Sequence, residues 1–232
     1  QAPWDRNGPL NFSRRTEDNG GRFSRMKIYD ISMDIYYDMP VYKGKTEKRP
    51  LFSADSDYRT GSVYETRVEI NMHTGTHLDS PYHMLEDGEK LESISLDKVI
   101  TRCTVLDLTD ANDKISKADL ERKNIKESDF ILLKTKNSHE DILEGDFIYL
   151  DKSGAEYLRD KKIKGVGIDA LGIERNQPDH PAHKILFKEG IVVLEGLRLS
   201  GIEEGEYFLF AAPIKLKNVE AAPVRAVLVK GL

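Results

Sequence analysis

The chain is poor in cysteine: Cys103 is the only one among 232 residues. An internal disulfide framework and a thiolate-caged zinc are both excluded, and a reducing compartment suits the composition. It lacks long apolar runs. Stretches such as Ile191 to Leu194 fall far short of the roughly 20 residues that cross a bilayer. It lacks a cationic excess as well, since 35 Lys and Arg against 40 Asp and Glu leave a net charge of -5. No basic block interrupts that balance, and binding to a phosphate backbone depends on clustered cations. The first residues show neither the charged start nor the apolar stretch of a secretory signal. The expectation is a soluble cytoplasmic protein with no nucleic-acid and no membrane partner.

What is present suits one globular domain, because 39% hydrophobic residues over this length can build a core without staples. Residues 1–25 stand apart. They are rich in Asn, Gly, Arg and Ser, show no periodicity and hold the sole tryptophan, Trp4. They are read as a leader carried over from expression or a divergent arm, and the domain is assigned to 26–232. Thr66 to Met72 alternates, placing Val68, Ile70 and Met72 on one face of a half-buried strand. Further short strands are expected at Val99–Leu108, Phe130–Thr135, Val166–Asp169, Ile191–Glu195, Tyr207–Ala211 and Val224–Val229. Helices are expected from an N-cap at Ser153 to Lys164, with Glu156 completing a capping box, over Ser116–Lys123, and over Pro181–Lys188 with Gly190 as the stop. Interleaved strands and helices point to a mixed α/β domain.

Three of the six histidines fall within His73-Thr74-Gly75-Thr76-His77-Leu78-Asp79-Ser80-Pro81-Tyr82-His83. In an extended segment His73, His77 and Asp79 point to one side, with Gly75 between the histidines leaving room for an ion. Two imidazoles and a carboxylate form a common ligand set for Zn²⁺, Mn²⁺ or Fe²⁺ that leaves positions open for water and substrate. Pro81 shapes the chain ahead of His83, whose imidazole could then serve as a general acid or base. Thr74 and Thr76 suit backbone caps or supports of the ligands. Ser80 lacks the context of a hydrolase nucleophile, and Cys103 reads as an inert core residue. A second cluster holds Asp179-His180-Pro181-Ala182-His183, followed by Glu195 directly after four apolar residues. A carboxylate so placed needs a partner, and a metal would be one. Glu174, Arg175 and His139 read as ordinary polar residues.

The segment 73–83 resembles the signature of the cyclase-like metal-dependent hydrolases, a family that includes bacterial kynurenine formamidases. Tyr29-Asp30-Ile31-Ser32, Gly167-Ile168-Asp169, His183 ahead of Glu195, and Pro223-Val224-Arg225-Ala226 match in order, so the likeness spans Met26 to Leu232. It implies a compact α/β domain of the swivelling β/β/α type, a mixed sheet with flanking helices, assembled as homodimers or homotetramers. It implies two divalent metal ions per subunit, zinc first and manganese second, on His73, His77, Asp79, His183 and Glu195. Asp79 and Glu195 would bridge the ions, and His83 would transfer protons. The implied reaction is hydrolysis of a small-molecule amide, foremost N-formylkynurenine to kynurenine and formate. Family formamidases carry tryptophan where Pro40-Val41-Tyr42 stands, so Tyr42 is the expected substrate-binding residue. Opening of a cyclic amide such as isatin is the alternative, and a non-catalytic metal-binding protein is the reading from another class.

Overall fold

The computed structural model describes residues 26–139 and 143–231; the segment read as a leader lies outside them. The elements are β1 (Lys27–Asp30), β2 (Leu51–Ser56), β3 (Glu65–Glu69), β4 (His77–Asp79), β5 (Ile100–Asp107), β6 (Lys114–Ile115), α1 (Lys117–Glu121), β7 (Phe130–Lys134), β8 (Tyr149–Leu150), α2 (Lys152–Asp160), β9 (Gly165–Ile168), α3 (Pro181–Lys188), β10 (Val192–Glu195), β11 (Gly205–Phe210), β12 (Ala221–Pro223) and β13 (Val227–Lys230). Nine strands form one curled mixed sheet in the order β1-β13-β11-β5-β7-β9-β10-β4-β12. Its centre, β5-β7-β9-β10, is parallel. Parallel neighbours require a crossover, and α1, α2 and α3 lie in the three connections. This is the mixed α/β domain that the alternating signals called for.

The sheet separates two apolar clusters. Ile131, Leu133, Val166, Ile168 and Val193 join the helix residues Leu120, Leu158 and Leu186 on one face. Phe130, Leu132, Val192, Leu194 and Leu78 belong to the cluster on the other. Residues two apart in a strand share a face, so Glu195 follows Val193 to the helix side. His77 and Asp79 reach that side too, because Leu78 between them turns away.

The structure departs from expectation in three places. The alternating stretch at 66–72 yields β3, which pairs with β2 alone. Phe52 and its cross-strand partner Val68 are 42% and 45% exposed, so the strand is a ribbon with no layer beneath it among the described residues. The N-cap of α2 is Asp151, whose carboxylate accepts from Gly154 N–H at 2.9 Å. Ser153 instead donates to Asp151 and accepts from Lys117 N–H, and the helix ends at Asp160. The strand expected over Val224–Val229 starts only at Val227, as β13, because the chain crosses there from β12 at one edge of the sheet to a position next to β1 at the other.

Candidate metal centre

The ligand segment enters through a turn and becomes a strand only at His77. The extended phase therefore aligns His77 with Asp79, while the turn brings His73 in. Asn71 supports that turn by accepting from His73 N–H at 3.0 Å. Gly75 adopts a φ of +62°, a region that glycine enters without steric cost. Its carbonyl accepts from His77 Nδ1–H at 2.9 Å, which leaves Nε2 of that ring as the free donor atom. Gly75 is thus a conformational requirement, and its open side is filled by Ile35, not by space for an ion. Thr76 Oγ1 donates to Gly196 C=O at 2.6 Å and accepts from Met33 N–H at 2.8 Å, tying the turn to the end of β10.

Strand β4 lies antiparallel between β10 and β12, so that Glu195 stands directly opposite His77 and Val193 opposite Asp79. Helix α3 delivers His183 from the layer above. Its Nε2 lies 3.2 Å from Glu195 Oε1 and 3.8 Å from Asp79 Oδ2. His77 Nε2 lies 3.2 Å from Glu195 Oε2 and 3.5 Å from Asp79 Oδ1. His73 Nδ1 is 3.1 Å from Asp79 Oδ1, and its Nε2 is 3.4 Å from Glu220 Oε1. The five residues singled out as ligands converge on one point. Asp79 sits at its middle, within 4.8 Å reach of His77 with Glu195 on one side and of His73 with His83 on the other. The His83 ring is centred 4.1 Å from that of His73 and 5.7 Å from that of His183. Tyr42 stands beside this group, its ring tilted against Phe147 at 6.0 Å and packed close to Gly172.

The electrostatics are those of buried anions held by cations. Burial works to neutralise Asp79 and Glu195, yet the facing imidazoles keep both carboxyls below the usual range. Burial likewise opposes protonation of His77, but the charge of Asp79 and the contact with Glu195 raise it to about 9. For His183 the carboxylates of Glu174 and Glu195 overcome burial and raise it to about 10. His83 goes the other way. Burial outweighs the attraction of Asp79, and the neighbouring histidines add to it, bringing His83 down to about 4. The Tyr42 hydroxyl is pushed up by burial and by the charges of Glu195 and Glu174.

His77 Nε2 and both oxygens of Asp79 are buried and form no well-directed hydrogen bond. Orphaned buried polar atoms are rare and costly. Here two donor-capable types, imidazole nitrogen and carboxylate oxygen without thiolate, point into one space, a set that fits zinc or manganese. Protons and divalent cations compete for these lone pairs, so binding of a cation releases protons.

Cys103 is buried, with its thiol pushed up to about 12 by burial, an inert core residue. Arg175 is engaged with Asp113 and Asp146. Glu174 is different from the ordinary polar residue it resembles in sequence: it is 2% exposed and holds His183 Nδ1 at 2.6 Å. Its signal was the one that marks Glu195, a carboxylate directly after the largely apolar stretch Ala170 to Ile173.

The profile of a family described as putative cyclase matches residues 29–175. The kynurenine formamidase of Erythrobacter litoralis is 32% identical over 88% of this chain and 94% of its own length. That of Bacillus cereus is 31% identical over 86% and 95%. Among solved structures, one described as a predicted metal-dependent hydrolase from Bacillus stearothermophilus is 48% identical with a TM-score of 0.82, covering 89% of this chain and 99% of that one. Isatin hydrolase A from Labrenzia aggregata, at 24% identity and a TM-score of 0.78 over 89% of this chain and 94% of its own, shares the fold. Among the described residues no helix is long and apolar enough to cross a membrane.

Proposed function

The chain belongs to the putative cyclase family and is a metal-dependent amide hydrolase, and we propose that it is an arylformamidase, cleaving N-formylkynurenine to kynurenine and formate. In this reading it is a cytoplasmic enzyme of tryptophan catabolism. His73, His77, Asp79, His183 and Glu195 hold two divalent ions per subunit, zinc or manganese. When bound, such ions lower the pKa of water and draw charge from the amide carbonyl. His83 is the proton-transfer residue. Burial favours its uncharged form, in which the ring can take a proton from the attacking water. It then delivers that proton to the departing nitrogen, which would otherwise leave as a poor anionic group. Tyr42, beside the carboxylates, stacks on the aromatic part of the substrate and offers it a hydroxyl. The observation that carries this reading is the orphaned set of His77 Nε2 and the two Asp79 oxygens, with an uncharged imidazole at its rim.

The replacement of the family tryptophan by Tyr42 favours a second reading in which a cyclic amide such as isatin is the substrate. Formate release from N-formylkynurenine and ring opening of isatin, assayed side by side on zinc- and manganese-loaded protein, separate the two. Turnover of neither, or turnover surviving complete removal of metal by a chelator, refutes the proposal.

We further assign the exposed β2–β3 hairpin to contact with a second copy of the chain, in a homodimer or homotetramer. A two-stranded hairpin is marginal in water by itself, and Leu51, Phe52, Tyr64 and Val68 are exposed along it. Sedimentation should find an assembly that Phe52→Asp dissociates; a monomeric parent chain refutes it.

A further inference from the structure

Glu174 lies outside the ligand set, yet its carboxylate is fully committed. Oε1 accepts from His183 Nδ1–H at 2.6 Å and from His183 backbone N–H at 3.1 Å. Oε2 accepts from Ala182 N–H at 3.2 Å and from Gln177 Nε2–H at 2.9 Å. We propose that Glu174 is a positioning residue that makes His183 an Nε2 metal donor and anchors the start of α3 so that this donor faces Glu195 and Asp79. The inference rests on the metal-centre reading above.

Two observations carry it. The first is the tautomer. A carboxylate that already accepts from three other N–H groups presents only lone pairs to the imidazole, so the ring nitrogen facing it must carry the proton. The opposite nitrogen faces Glu195 Oε1, 3.2 Å away; without metal it shares a proton with that carboxylate, and a divalent cation would displace this proton while Nδ1–H stays with Glu174. The Gly75 carbonyl likewise keeps Nδ1–H of His77. Two different acceptors thus leave both rings with Nε2 directed inward, and outer partners of this kind orient metal-bound histidines.

The second is the helix. The first backbone N–H groups of a helix have no partner within it, and His180, the residue at the N-cap of α3, supplies no side-chain cap and sits at a φ of 50°. Glu174 takes those donors from outside the helix, where a negative charge is also favoured by the helix dipole. One side chain therefore sets both the height of α3 over β10 and the direction of the imidazole. Glutamine has the same shape but only one acceptor oxygen, and its NH₂ would face a donor.

The test uses the full chain loaded with zinc. Competition against a chelating dye should show zinc held about 10- to 100-fold more weakly by Glu174→Gln than by the parent. A long-range ¹⁵N–¹H spectrum of the zinc-loaded parent should place the His183 proton on Nδ1, a reading that needs no variant to fold. Unchanged zinc affinity in Glu174→Gln, even with a lowered melting temperature, would leave only helix capping and overturn the proposal. A parent spectrum with the proton on His183 Nε2 would overturn it as well. Failure of the parent to take up zinc at all sinks the metal centre itself, an outcome distinct from either.

Discussion

Gly196 packs against the backbone of Gly75 at the site, and Gly196→Ala measures what that contact is worth. Gly196 has a φ of +71°, where a residue with a Cβ is strained by about 1–2 kcal/mol. The new methyl would also lie 2.3 Å from Gly75 O and 2.8 Å from its carbonyl carbon. Reaching even a 3.0 Å contact needs a separation of at least about 0.7 Å. Both atoms are backbone, so no side chain can swing aside. The displaced carbonyl is the one that holds His77, and the displaced strand end carries Glu195. A shift near 1 Å in such a constellation costs on the order of a hundredfold in rate. Gly201→Ala is the control, because its φ is +73° and nothing stands within 4 Å of the added methyl. It carries the conformational strain without the collision. Urea unfolding, zinc competition and amide turnover should show Gly201→Ala losing about 1–2 kcal/mol with metal binding and rate intact. Gly196→Ala should lose more stability, bind zinc more weakly and turn over about a hundredfold more slowly. If the two alanine variants behave alike in all three assays, the close approach does not govern the metal centre and the reasoning is wrong.

His83→Ala should keep the parent's metal stoichiometry while hydrolysis falls by about 10²–10⁴-fold; loss of an ion by elemental analysis would make His83 a ligand. Asp79→Asn removes the charge at the middle of the cluster and should abolish the stabilisation that metal at a hundredfold excess over Kd gives, about 2.7 kcal/mol, seen as a melting temperature that no longer responds to zinc. For zinc-stripped protein, His77 binds its proton more tightly folded than unfolded, with its pKa raised from 6.5 to about 9. Its contribution is fully present below pH 6.5 and is lost as pH rises through 9, amounting to about 3 kcal/mol at most. Metal affinity should run in the opposite direction and weaken as pH falls, because the same protons compete with the ion; parallel trends in the two titrations would contradict the assignment.

The chemistry of the site was more legible in the sequence than its scaffolding. His73, His77 and Asp79 stand out because two imidazoles and a carboxylate share one short glycine-bearing segment, whereas His183 and Glu195 are weak signals alone and are joined to them only by the family resemblance. Helix α3 follows from Pro181 and Gly190, and the central strands follow from short apolar runs, but their order and parallel direction do not. What stayed hidden depends on contacts between distant segments. The meeting of Gly75 with Gly196 joins residues far apart in the chain, and no local pattern marks it. Glu174 follows a largely apolar stretch as Glu195 does, but that signal is weak alone, and its partners at the start of α3 show only in the fold. At 66–72 alternation announces a strand but not whether anything covers it, and at Ser153 two good caps compete, the carboxylate of Asp151 winning.

Leu78 has a consequence for how firmly the catalyst is tuned. It is wholly buried in the apolar cluster on the face opposite the histidine and aspartate that flank it. Any twist of that short strand that would re-aim the flanking groups must also drag a leucine toward polar surroundings, at about 1.5–3 kcal/mol for full exposure. The oil side of the sheet thus acts as ballast for the charged side. Exchanging one divalent ion for another of different size should be accommodated by rotamers and solvent before the strand itself turns.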